Sequence, residues 1–230
     1  MKKVFLIAAF AAATMGAKAQ VTFGIQAGAN MGNVQAEEEY MGETWESEYD
    51  SKFGFLIGGV AEIPVSSNFT FRPELNFIQK GFKESESEAG YSYETKATAS
   101  FIELPLNFVY NVAAGSGTFF VGAGPSIGFG IGGKVKSEMS FGGETESEET
   151  DIKFDGDDEA TDDNVHLKSL DFGANILAGY KMSNGLFFSL GYSKGFSNLS
   201  PYENSSFKTS GVQLKVGFMF GGAKTNGSDN

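Results

Sequence analysis

Residues 69–80 read FTFRPELNFIQK. Side chains of a strand point alternately to its two faces. Phe69, Phe71, Leu75 and Phe77 therefore share one face, and Thr70, Arg72, Glu74, Asn76 and Lys80 the other. A soluble sheet turns such an apolar face into a core and its charges into water. A transmembrane barrel does the reverse, with lipid outside and polar side chains within. The rest of the chain decides between them.

Seven further segments repeat the period of two. VTFGIQAGANM (21–31) sets Phe23, Ile25 and Met31 against Gln26 and Asn30, and KFGFLIGGVAEI (52–63) sets Phe53, Phe55 and Ile57 against Glu62. FIELPLNFVYN (101–111) opposes Ile102, Leu104 and Phe108 to Glu103 and Asn107. In FFVGAGPSIGFGI (119–131) the second face is Gly and Ser; in LDFGANILAGYK (170–181) it holds Asp171, Asn175 and Lys181. LFFSLGYSKGF (186–196) and GVQLKVGFMF (211–220) complete the set, the last with Gln213 and Lys215 opposite Val212, Leu214 and Val216.

The connections alternate in length. Residues 32–51, 83–98, 132–167 and 197–206 are long or moderate and polar, whereas 64–68, 113–117 and 183–185 are tight turns. Short turns at one end and longer loops at the other mark an outer-membrane barrel, and loops of this length are uncommon inside compact soluble domains. The expected fold is all-β: an eight-stranded antiparallel up-and-down transmembrane β-barrel. Eight strands leave an interior that side chains just fill, and Gly, Ser and Asn on the second face suit so narrow a space.

The beginning of the chain reads as an export signal. Lys2 and Lys3 precede an apolar run from Val4 to Ala13, and Ala17-Lys18-Ala19 offers a cleavage site before Gln20. The run is too short for a spanning helix. The expected organisation is a cleaved signal peptide at 1–19, a barrel domain at 20–220 and a polar tail at 221–230. The chain has no cysteine, which excludes disulfides, thiolate metal sites and a lipid-bearing cysteine. Its formal charge of −12 becomes −15 without the three lysines of the signal. Such a balance excludes binding of nucleic-acid phosphates, which needs clustered Lys and Arg.

The acids are not scattered. Of 29 Asp and Glu, 24 lie in the four long connections and one, Asp229, in the tail. The other four, Glu62, Glu74, Glu103 and Asp171, fall on inward strand positions, as do Arg72, Lys80, Lys181 and Lys215. Together the eight read as a charge network in the lumen. It is better taken as a tie between strands than as a catalytic cluster, since a buried charge without a partner is costly. On the outward face Lys194 is the one basic exception, close enough to a strand end to snorkel.

The chain resembles the PorT-like small outer-membrane β-barrel proteins. The resemblance is carried by FGIQAGANMGN after the signal, GFLIGGVAEIPVSSNFTFRPELNFIQKG, FIELPLNFVYN, FFVGAGPSIGFGI and the closing LKVGFMF. It implies a barrel in the cell outer membrane, inserted by the barrel-assembly machinery. The terminal aromatics Phe218 and Phe220 would be the assembly signal, although ten residues follow Phe220 here. It implies no particular activity.

The outward segments hold the remaining candidates. FGGETESEETDIKFDGDDEATDDN (141–164) offers Asp155, Asp157, Asp158 and Glu159 to a divalent cation. Ala160 stands where an EF-hand loop needs its turning Gly, so any cation is weakly held and the stretch reads as a hydrated acidic projection. His166, with Ser169, Asp162 and Asp163 nearby, lacks the motif of a hydroxyl nucleophile; no enzymatic activity and no cofactor are expected. Tyr40, Trp45 and Tyr49, set among acids, suit either a partner or packing onto the barrel rim. The expected role is structural or surface-interacting, through acidic extracellular loops. The expected partners are the lipid bilayer, lipopolysaccharide and an unidentified extracellular molecule. Solute transport through the barrel is the alternative. A soluble secreted barrel binding an apolar ligand would need the Phe-rich face inside.

Overall fold

The computed structural model describes residues 21–40, 43–47 and 49–220. The expected signal peptide at 1–19 and the expected tail at 221–230 lie outside the described residues. The strands are β1 (Thr22–Tyr40), β2 (Glu43–Ser47), β3 (Asp50–Pro64), β4 (Phe69–Glu88), β5 (Tyr91–Ala114), β6 (Gly117–Phe141), β7 (Glu144–Lys153), β8 (Val165–His166), β9 (Leu170–Lys181), β10 (Leu186–Gly195) and β11 (Ser205–Phe220).

Eight of them, β1, β3, β4, β5, β6, β9, β10 and β11, form a closed antiparallel ring. It shuts where β1 meets β11, with Phe23 opposite Phe220 and Gly28 opposite Lys215. Closure leaves the ring with no open sheet edge, as a strand-built membrane span requires. The other three strands decorate one end: β2 pairs with β1, β7 with β6, and β8 runs parallel to the end of β7.

The two faces divide as the alternation predicts. Phe23, Phe53 and Leu214 point outward and are 63%, 72% and 61% exposed, while Gln26, Arg72, Glu103 and Lys215 are buried inside. The Phe-rich face is therefore the outer one, opposite to what a soluble apolar-ligand barrel requires. No helix among the described residues is long and apolar enough to cross a membrane; the apolar belt belongs to strands.

The long connections differ from expectation. Residues 83–98 are the continuous ends of β4 and β5, and much of 132–153 is a hairpin of β6 and β7 turning at Gly142 and Gly143. These stretches, such as KESESE and ETESEET, alternate Ser, Thr and Glu without an apolar face. Beyond the bilayer both faces of the sheet meet water, so the ladder forms without the pattern that identifies the strands below it. A bulge marks the transition. Ser100 pairs with Gly132 and Phe101 with Gly130, which leaves Ile131 extra. Gly132 adopts φ +145 there, a conformation side chains disfavour. The extra residue reverses the alternation, so Val135 faces inward.

Candidate functional site: the charged lumen and its cap

The eight lumen charges occupy two levels. Nearer the short turns, Arg72 on β4 donates to Glu62 on β3 at 3.1 Å, and its Nε lies 3.7 Å from Glu74. Lys181 reaches Glu62 from β9. Lys215 on β11 sits 2.8 Å from Glu74. Gln26 on β1 donates to Glu74 at 2.7 Å and to Asn76 at 2.8 Å. Nearer the long-hairpin end, Lys80 meets Glu103 at 2.7 Å and Asp171 at 3.3 Å, and Thr209 donates to Asp171 at 2.7 Å. Four acids meet four bases, each acid within reach of a base. Contacts between strands distant in sequence dominate, so the network crosses the lumen as well as running along its wall.

Apolar layers border both levels, and sequence alternation missed them. Below, Val60, Val109, Phe120, Leu177, Phe187 and Met219 pack together. The Arg72 guanidinium lies 4.8 Å from the centre of the Phe120 ring and 4.5 Å from that of Phe187. Favourable cation–aromatic contacts thus take the place of further hydrogen bonds on its flanks. Outside this layer the short-turn mouth opens into a vestibule of about 800 Å³, bordered by Thr22, Glu62, Lys181 and Met219. The available signal was the doublet: in Phe119-Phe120 and Phe187-Phe188 one ring must face inward whichever way the strand lies.

At the opposite end the third connection folds back over the mouth. Ile152 and Leu167, with Leu199 from the fourth connection, pack on the inward-facing Leu56, Ile78, Ala99 and Phe101. Phe154 joins them and stacks edge-on to Phe101 at 5.1 Å between centroids. Its ring lies where any side chain at Gly130 would be, 2.2 Å from an added Cβ. The acids of the stretch, Asp155 to Asp163 included, are exposed as a hydrated projection requires, but Ile152, Phe154, His166 and Leu167 turn inward and tie 152–168 to the barrel. Isolated apolar residues in that acidic stretch are its anchors.

His166 fixes this cap. Its ring is buried, with Nδ1 at 2.8 Å from Asp155 and Nε2 at 2.8 Å from Asp162. Lys153 binds the other oxygen of Asp162. Two carboxylates on two ring nitrogens favour the imidazolium, which donates to both. Asp162 foremost, then Asp155, holds the His166 pKa above its ordinary value. His166 in turn depresses both aspartates, aided at Asp162 by Lys153. With both nitrogens occupied, the imidazole has none free to take a proton from Ser169.

Of the cation candidates, Asp155 is spent on His166 and on the backbone N–H of Asp157, whose carboxylate accepts from the N–H of Glu159. Among the described residues no group of three His, Asp or Glu could hold a metal ion. The aromatic trio separates: Tyr49 packs back onto Phe82 with centroids 4.0 Å apart, whereas Trp45 is 64% exposed. The side chain of Tyr40 lies outside what the structure describes. Phe218 and Phe220 both face outward, 5.7 Å apart between ring centroids.

A model of the outer membrane protein beta-barrel domain family matches residues 13–200. Among solved structures the chain is similar to Ail, the attachment invasion locus protein of Yersinia pestis, at 12% identity over 87% of this chain and 99% of that one, with a TM-score of 0.34. It is also similar to Neisserial surface protein A at 12% identity, 87% and 99% coverage and a TM-score of 0.38. The outer membrane protease OmpT from Escherichia coli aligns at 8% identity, 87% and 96% coverage and a TM-score of 0.27. A comparison with curated proteins gave no match.

Proposed function

The chain belongs to the outer membrane protein β-barrel domain family, and from that premise we propose that it is a non-conducting barrel which presents an acidic sheet at the cell surface. Export by a cleaved signal peptide, insertion by the barrel-assembly machinery and the narrower PorT-like kinship belong to this reading. Membership of this family supports a location in the outer membrane. What it does there lies in the parts beyond the lipid.

The observation that carries the reading is Arg72. It has no exposed surface although it sits in the middle of a barrel, because Phe120, Phe187, Glu62 and Glu74 enclose it. The cap of Ile152, Leu167 and Leu199 adds a second obstruction above. Beyond the belt, β4 to β7 form a projecting sheet whose last strand carries Glu144, Glu146, Glu148, Glu149 and Asp151. Long strands that serve only to lift such a surface away from the lipid suit contact with an extracellular partner. Solute transport remains the competing role and requires both obstructions to move.

Protease treatment of intact cells tests the orientation. Cleavage within 144–151, with the barrel itself protected, is expected. Protection of that stretch until the outer membrane is breached would contradict surface presentation.

A further inference from the structure

On the outer face of β6, β9 and β10, small and large side chains alternate across strands. Ala178 lies between Val121 and Leu190 in register, and Ile176 between Ala123 and Tyr192. The two alanines leave a groove of about 660 Å³ among Val121, Ile176, Leu190 and Tyr192. Tyr192 also borders a second, polar hollow farther from the short turns, shared with Lys194, Ser210, Asn33, Gln35 and Glu37.

Lys194 faces Ser210 across β10 and β11, and Lys208 follows two residues along β11 on the same outward face. Diagonal neighbours of this kind stand about 7–8 Å apart. Among the described residues neither lysine is in an ion pair, although Lys83, Lys96, Lys134, Lys136 and Lys153 each hold an acid. Glu37 lies four residues beyond the level of Lys194, about 13 Å along the strand. It stands opposite Ser206 and so is the diagonal neighbour of Lys208, yet it forms an ion pair with neither lysine.

We propose that this face binds one phosphorylated acyl lipid of the outer leaflet, with a chain in the groove and the phosphate between Lys194 and Lys208. The proposal rests on the outer-membrane reading above. A second copy of the barrel is a poorer occupant. The same face would set lysine against lysine, and among the described residues Glu37 is the one acid bordering the hollow.

The test uses the full mature chain in phosphatidylcholine nanodiscs doped with lipid A or with its dephosphorylated form. Lipid bound per barrel is read by mass spectrometry. Wild type retains the phosphorylated lipid. Lys194→Gln with Lys208→Gln weakens retention about ten- to thirtyfold. Ala178→Phe, which fills the groove, weakens it as well, and Lys168→Gln, away from the groove, leaves it unchanged. Equal retention of the two lipid forms, or no effect of the double variant, overturns the site. So does a phosphate-independent dimer that Ala178→Phe dissolves. Heat-modifiable gel mobility, measured alongside, reports whether the barrel has folded into the bilayer, so failure of the outer-membrane reading is separable from failure of the site.

Discussion

Arg72 Nη1 and Glu62 Oε1 lie 3.1 Å apart inside the barrel, and the arginine side chain is wholly enclosed. Removing one partner of a buried ion pair costs about 3–5 kcal/mol, because the survivor keeps its desolvation penalty without its attraction. Here Glu62 retains Lys181 and Glu74 retains Lys215. Arg72→Leu is therefore expected at the lower end, about 3 kcal/mol, in urea unfolding of the folded barrel in detergent. An unchanged midpoint would show that the network does not hold the strands.

The cap has a pH window. His166 has a raised folded pKa, so its contribution is complete below its unfolded value of about 6.5 and is lost as pH rises through the higher folded one. Asp155 and Asp162 have depressed folded values. Their contribution is complete above the unfolded value of about 3.9 and is lost as pH falls through the folded ones. The cap is thus tightest from about pH 4 to 6.5 and loosens on either side of that window. Hydrogen exchange at Phe154–Lys168, corrected for intrinsic rate, should accelerate above neutrality, and His166→Gln should abolish that dependence. A wild-type profile flat into the alkaline range would sink the latch.

Leu214 is a sharp test of the lipid face. It is 61% exposed beside Leu190 and Ala29, near the middle of the apolar belt. Leu214→Arg should cost about 2–4 kcal/mol of folding stability in bilayers. Gln213→Ser, one residue away but facing the lumen, should cost much less. Similar costs for both would mean the faces are wrongly assigned.

Trp45 is the single tryptophan of the chain and serves as its own probe. At 64% exposure its emission should be red-shifted and readily quenched by acrylamide in the folded barrel. Trp45→Ala should leave unfolding unchanged, since most surface substitutions fall within about 0.5 kcal/mol. A blue-shifted, protected indole would place it on the rim with Tyr49 instead.

Much of the barrel was legible because lipid imposes a pattern that soluble folds lack. Phe53, Ile57, Leu75 and Leu214 could be assigned outward, and the eight lumen charges inward, from alternation alone. The inward rings of Phe101, Phe120 and Phe187 were not read, because a run that is apolar on both faces has no period of two. The projecting strands were hidden for the opposite reason: KESESE and ETESEET are polar on both faces. The cap escaped because its anchors, Ile152, Phe154 and Leu167, sit singly among acids, and only the folded chain brings them to Phe101. The pairing of His166 with Asp155 and Asp162 likewise depends on that fold-back.

Planar-bilayer recording of the heat-modifiable, folded protein tests the closed lumen most directly. The arrangement of Arg72 between Phe120 and Phe187, beneath the cap, predicts no defined conductance. It predicts the same silence when the cap alone is disrupted by Gly130→Leu, which would displace the Phe154 ring. Channels should emerge only when Phe120→Ala and Phe187→Ala are added. Discrete, reproducible conductance steps from the wild-type barrel would contradict the account and restore transport as its function.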